Sequence, residues 1–165
     1  MTYEEYDSLC TNLHIDRPNT TRDGDGKRYD YTEHALKNFR KMVACLGINN
    51  DVSKALKDRP SVVKEEYLQK GIQCLLPEKI HNREECSELV AQIEASVLLY
   101  KKFPPSRCKK QTVERRAKLL LTVFIDGQEM TASEYRNILS IKPSYYSKVK
   151  TQAIEDLSVI LFREK

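Results

Sequence analysis

Tryptophan is absent from this 165-residue chain, and it holds only five glycines, six prolines and three histidines. With so few helix breakers, and with long stretches of Glu, Lys, Leu, Ala and Gln between them, the composition favours helices over strands. No apolar run approaches the ~18 residues that span a bilayer. The opening "MTYEEYDSLC" lacks the basic start and apolar middle of a signal peptide. A cytoplasmic protein with no membrane contact is therefore expected. Cys10, Cys45, Cys74, Cys86 and Cys108 include no C-x-x-C pair, which argues against zinc or dithiol chemistry and for reduced, mostly buried thiols. His14, His34 and His81 are scattered, no serine or cysteine sits in a nucleophile motif, and there is no glycine-rich phosphate loop. The carboxylate pairs Glu65-Glu66 and Glu84-Glu85 fall on expected helix surfaces, where solvation is the default. The expectation is a protein that is not an enzyme, with no catalytic residues, metal or cofactor.

What is present is charge, unevenly spread. Charged residues make up 32% of the chain and apolar ones 40%, enough for a core in one domain or two small ones. Residues 1–100 carry 14 Lys/Arg against 17 Asp/Glu, a net of −3, whereas residues 101–150 carry 12 against 4, a net of +8. A local basic excess of this kind suits a polyanionic partner.

Along the chain, "TYEEYDSLCTNLHI" reads as a helix with Tyr3, Tyr6, Leu9 or Cys10, and Leu13 on one face. "DRPNTTRDGDGKRYD" then reads as a loop or turn. Its "DGDG" fails as a calcium loop, because Thr21 and Thr32 stand where the first and last carboxylates belong. Thr32 is the expected N-cap of a helix burying Ala35, Phe39, Met42, Val43 and Leu46, with Gly47 as its stop. "SVVKEEYLQKGIQCLL" suggests a further helix closed by Pro77. Asn82 and Glu85 resemble a capping box opening a long helix. There Cys86, Leu89, Ile93, Val97 and Tyr100 recur at a spacing that suits a bundle core or a dimer seam. "TVERRAKLLLTVFIDG" gives the next helix, with Val113, Ala117, Leu120 and Phe124 inward. No segment shows the alternation of a strand, so the fold class is all-α. A helical N-terminal region, residues 1–80, would precede a second helical domain, residues 81–165.

The end of the chain has the form of a helix-turn-helix. "TASEYRNIL" is a short helix capped by Thr131, with Tyr135, Ile138 and Leu139 as its apolar positions. Ser140-Ile141-Lys142 makes the turn, and Ile141 pins it. Pro143 fits the first position of the second helix, where its missing N–H costs nothing. Tyr146, Val149, Ala153, Leu157 and Ile160 mark that helix's inward face. The opposite face carries Lys142, Ser144, Tyr145, Ser147, Lys148, Thr151 and Gln152. A recognition helix enters the major groove N-terminal turns first, and these side chains can reach phosphates and base edges. Lys101, Lys102, Arg107, Lys109, Lys110, Arg115, Arg116 and Lys118 would hold the DNA backbone.

The run "TASEYRNILSIKPSYYSKVKTQAIEDL" resembles the helix-turn-helix of region 4 of bacterial sigma factors. "YYSKVKTQAIEDLSVIL" is similar to the C-terminal signature of the ArpU/RinA-type regulators of phages and prophages, and the likeness extends from Asn82 to Phe162. Two departures stand out: Ser140 occupies the place of the usual turn glycine, and the recognition helix has no arginine in its first turns. The resemblance implies a sequence-specific transcriptional regulator of late-gene type, with double-stranded DNA as ligand and RNA polymerase as a partner. The acidic N-terminal region would supply a partner or homodimer contact. Two alternatives stand beside it. One is a DNA-packaging protein like a terminase small subunit, although such proteins usually carry their DNA-binding domain first. The other is a protein-interaction module or inhibitor that binds no DNA.

Overall fold

The computed structural model describes residues 1–46, 83–102, 104, 108–126 and 131–162. The expected helix over residues 61–76, the stop at Gly47, the cap at Asn82, and Cys74, His81, Arg107 and Gly127 lie outside the described residues, as does the domain boundary near residue 80. Every described element is helical, and the protein is all-α: α1 (Tyr3–Asn12), α2 (Gly24–Cys45), α3 (Arg83–Lys102), α4 (Lys110–Leu120), α5 (Ala132–Leu139) and α6 (Pro143–Leu161). Among the described residues no helix is long and apolar enough to cross a membrane.

Helix α1 opens on a full capping box. Thr2 Oγ1 accepts from the Glu5 amide at 3.2 Å, and Glu5 Oε2 accepts from the Thr2 amide at 2.7 Å. The expected stripe is in place, with Tyr6, Leu9, Cys10 and Leu13 buried and Tyr3 half-buried.

Helix α2 departs from expectation. It begins at Gly24, eight residues before Thr32, and runs through the "DGDG" that reads as a turn. Thr32 is no cap: it is fully buried inside the helix, and its Oγ1 donates to the Arg28 carbonyl one turn back at 2.8 Å. Packing overrides the weak local propensity of Asp and Gly here. Tyr31, at the end of the added eight residues, is buried against Tyr3, Tyr6 and Phe162 at ring separations of 4.7, 5.9 and 5.7 Å. Extending the helix is what brings that ring into the core.

Helix α3 buries Cys86, Leu89, Val90, Ile93, Val97 and Tyr100 within the chain. Of the two uses its spacing allowed, the bundle core is the one realised. The side chain of Arg83 at its start donates to the carbonyl of Leu46, just past the end of α2. α4 does not run on as a regular helix through Phe124. Residues Leu121–Ile125 widen into a π-helical turn, in which the Asp126 amide reaches back to the Leu121 carbonyl at 2.9 Å. The Val123 carbonyl accepts from Arg40 Nη2 of α2 at 2.8 Å and from the Tyr135 hydroxyl of α5 at 3.3 Å. The bulge thus ties α2 to the start of the helix-turn-helix.

Helix α6 lies at the centre, packed on α2, α3 and α4. Ala153, Ile154, Leu157, Leu161 and Phe162 enter the main core, which also holds the buried apolar residues of α1, α2 and α3. The described helices before and after residues 47–82 therefore share one core. A second, small cluster of Leu119, Leu139, Ile141 and Val149 lies under the turn between α5 and α6.

Candidate nucleic-acid interface

The turn between α5 and α6 is built as its sequence leads one to expect. Thr131 and Glu134 form a second capping box, the Glu134 carboxylate accepting from the Thr131 amide at 2.7 Å. Those Thr131 hydrogen bonds, backbone first, hold the Glu134 carboxyl below its usual pKa. Its charge is thereby committed to the start of α5. At the other end, Ser140 takes a left-handed conformation (φ 52°, ψ 41°), and the Ile141 amide reaches back to the Arg136 carbonyl at 3.0 Å. This is the Schellman arrangement that usually carries glycine. It turns the chain so that Ile141 drops into the small core, 6% exposed. Pro143 then starts α6 after Lys142, which has an extended backbone.

α6 opens without any side-chain cap, unlike α1 and α5. Its first turns present Lys142, Ser144, Tyr145, Ser147 and Lys148, all exposed, so these five expected contact residues come together on one surface. From Tyr135 through Ile154 there is no carboxylate, while Arg136, Lys142, Lys148 and Lys150 are basic. Lys150 is partly committed elsewhere, lying 3.8 Å from Glu33 of α2 and over the Phe124 ring. Lys148 stays on the exposed face with its ammonium 5.9 Å from the Tyr145 ring centre. Hydrogen-bond donors, positive charge and the helix dipole all point the same way at this end of α6.

Several expected residues sit elsewhere. Arg116 is 8% exposed and turned inward, which corrects its assignment to the DNA backbone. Its Nη1 donates to Asp156 at 2.5 Å and its Nη2 to Gln152 Oε1 at 2.7 Å, both on α6. Tyr100 of α3 donates to the same Asp156 carboxylate at 2.7 Å. Burial disfavours the guanidinium's charge, but the bonds to Asp156 and Tyr100 outweigh that and raise its pKa. Burial, followed by the Asp156 carboxylate, pushes the Tyr100 hydroxyl well up. Gln152 is likewise drawn off the exposed face. The signal for Arg116 lay in the spacing, since it falls between Val113 and Leu120 on the inward stripe of α4. Ile138 is the opposite case, expected inward but 46% exposed. His34 is half-buried, with Nδ1 2.8 Å from the Tyr6 hydroxyl.

The basic residues of α4 divide by level. Arg116 opposite Gln152 and Asp156, with Leu119 in the cluster of Val149, makes α4 and α6 antiparallel. Lys109 and Lys110 are exposed but lie about 20 Å along the helix axes from Ser144. Arg115 and Lys118 are exposed nearer the level of the turn. Lys101 and Lys102 are exposed at the end of α3. Thr151 is exposed and borders an open groove of about 730 Å3 between α2 and α6, whose lining includes Asp25 and Glu155. Those carboxylates mark where a phosphate-bearing surface would end. Among the described residues no group of three or more His, Cys, Asp or Glu side chains is arranged to hold a metal ion. Compared with protein-family models, curated proteins and solved structures, the chain matches none.

Proposed function

We propose that this protein is a sequence-specific DNA-binding regulator of transcription that lays the first two turns of α6 in the major groove. One observation carries the reading: a helix-turn-helix whose exposed leading surface, Lys142 to Lys148, is free of carboxylates and opens on an uncapped helix N-terminus. In this arrangement Lys142 and Lys148 meet phosphates and nearby base edges. Arg115 and Lys118 reach the flanking backbone. Ser144, Tyr145 and Ser147 face the bases. α5 crosses the backbone, and Arg116 holds α6 in place. The resemblance to phage-type late-gene regulators supplies the biological setting of this proposal, with RNA polymerase as a partner.

Fluorescence anisotropy against a random duplex and against DNA from the gene's own neighbourhood, over a salt series, tests it. Neutralising four or five phosphates gives a slope of log affinity on log salt of roughly −4, and Lys148→Ala lowers its magnitude by about 1. Tighter binding to the neighbouring DNA supports the regulator. Silence on both duplexes at low salt overturns it and leaves the exposed face to a protein partner.

A further inference from the structure

On the reading that α6 enters the major groove, the groups available to tell one base pair from another are few. Guanine is best read by a bidentate arginine, adenine by asparagine or glutamine, and cytosine by a carboxylate. The first turns of α6 hold no arginine and no carboxylate, and Gln152 is already bonded to Arg116 at 2.7 Å. Ser144 and Ser147 can match a donor or an acceptor and so discriminate weakly. Lys142 and Lys148 are point charges without a fixed fork. What remains is the ring of Tyr145, 47% exposed in the first turn of the helix. An apolar ring left in water at this place has one apolar counterpart in the groove, the 5-methyl group of thymine. Lys148, one turn on, keeps its ammonium beside the ring, where it also offsets phosphate charge.

We infer that Tyr145 is the specificity-determining residue of this helix and selects duplexes by packing its ring on thymine methyl groups. Hydroxyl bonding by Tyr145 is secondary, so phenylalanine should replace it and serine should not.

The test uses the full chain and a random-sequence duplex pool. A tight-binding duplex is selected, then resynthesised with deoxyuridine replacing one thymidine at a time, which removes the methyl group alone. Wild type should lose roughly fourfold in affinity for each contacted methyl. Tyr145→Phe should keep that dependence. Tyr145→Ser should bind the thymine duplex more weakly and respond to none of the replacements, with an unchanged salt slope. Indifference of wild type to every replacement, or a methyl effect that survives in Tyr145→Ser, overturns the inference while duplex binding still stands. If no duplex is enriched from the pool, the inference and the DNA-binding reading fall together.

Discussion

The two ends of α6 are held in different ways. Toward its C-terminus, Leu157, Leu161 and Phe162 are enclosed by residues of α1, α2 and α3, and the Phe162 ring stands 5.4 to 5.7 Å from those of Tyr3, Tyr6 and Tyr31. Toward its N-terminus, Val149 shares a cluster of four buried residues with Leu119, Leu139 and Ile141, and half-buried Tyr146 and Val123 close its edge. One end is anchored and the other is presented. The exposed surface there keeps Lys142, Ser144, Ser147 and Lys148 in water, and little apolar area is buried beneath it. The stability of the N-terminal end is therefore borrowed from the anchored end, through the stiffness of a helix of 19 residues.

Substitutions at the two ends should separate these roles. Phe162→Ala removes a ring that is 1% exposed and should cost about 3–5 kcal/mol, lowering the urea midpoint of the whole molecule. Ile141→Ala should cost only about 2 kcal/mol. Its larger effect should be on hydrogen exchange in α5 and on DNA affinity, with the helical circular dichroism retained. Equal global losses from both substitutions would mean that the small cluster is an extension of the main core.

Between the two ends stands the Arg116–Asp156 pair, with side chains 10% and 14% exposed. Arg116→Ala leaves the largely buried Asp156 carboxylate, at the edge of the groove between α2 and α6, with Tyr100 and should cost about 2–3 kcal/mol in chemical denaturation. Lys118→Ala, two residues away and exposed, should leave the denaturation midpoint within about 0.5 kcal/mol. If the two substitutions move the midpoint alike, Arg116 does not join the halves of α6 to α3 and α4.

The smallest change expected is a gain. Ser140 stands at φ 52°, where a side chain is strained and glycine is not. Ser140→Gly should raise stability by about 0.5–1 kcal/mol, read as a small upward shift in Tm. A loss would place the constraint in the serine hydroxyl rather than in the backbone.

Much of the helix-turn-helix was legible because its signals are local. Thr131 caps α5, Pro143 starts α6, and the inward spacing of Ile141, Val149, Ala153 and Leu157 is matched by burial. What sequence reading missed was decided at a distance. Thr32 looks like a cap until Tyr31 is seen packed against Phe162, and Arg116 looks like a phosphate ligand until Asp156 is found opposite it. The π-helical turn carries no recognisable signature at all, since its Val123 carbonyl is bonded by Arg40 from another helix. Charge and spacing name the residues able to bind an anion, and packing decides which of them remain free to do so.

The stacking of Tyr3 on Phe162 joins residues close to opposite ends of the sequence. Contacts so far apart carry a larger loop-closure entropy than local ones, and form after them more readily than before. The small cluster under the turn involves only residues between Leu119 and Val149. The helix-turn-helix can therefore begin to assemble early in folding, before the aromatic rings that fix α6 have found one another.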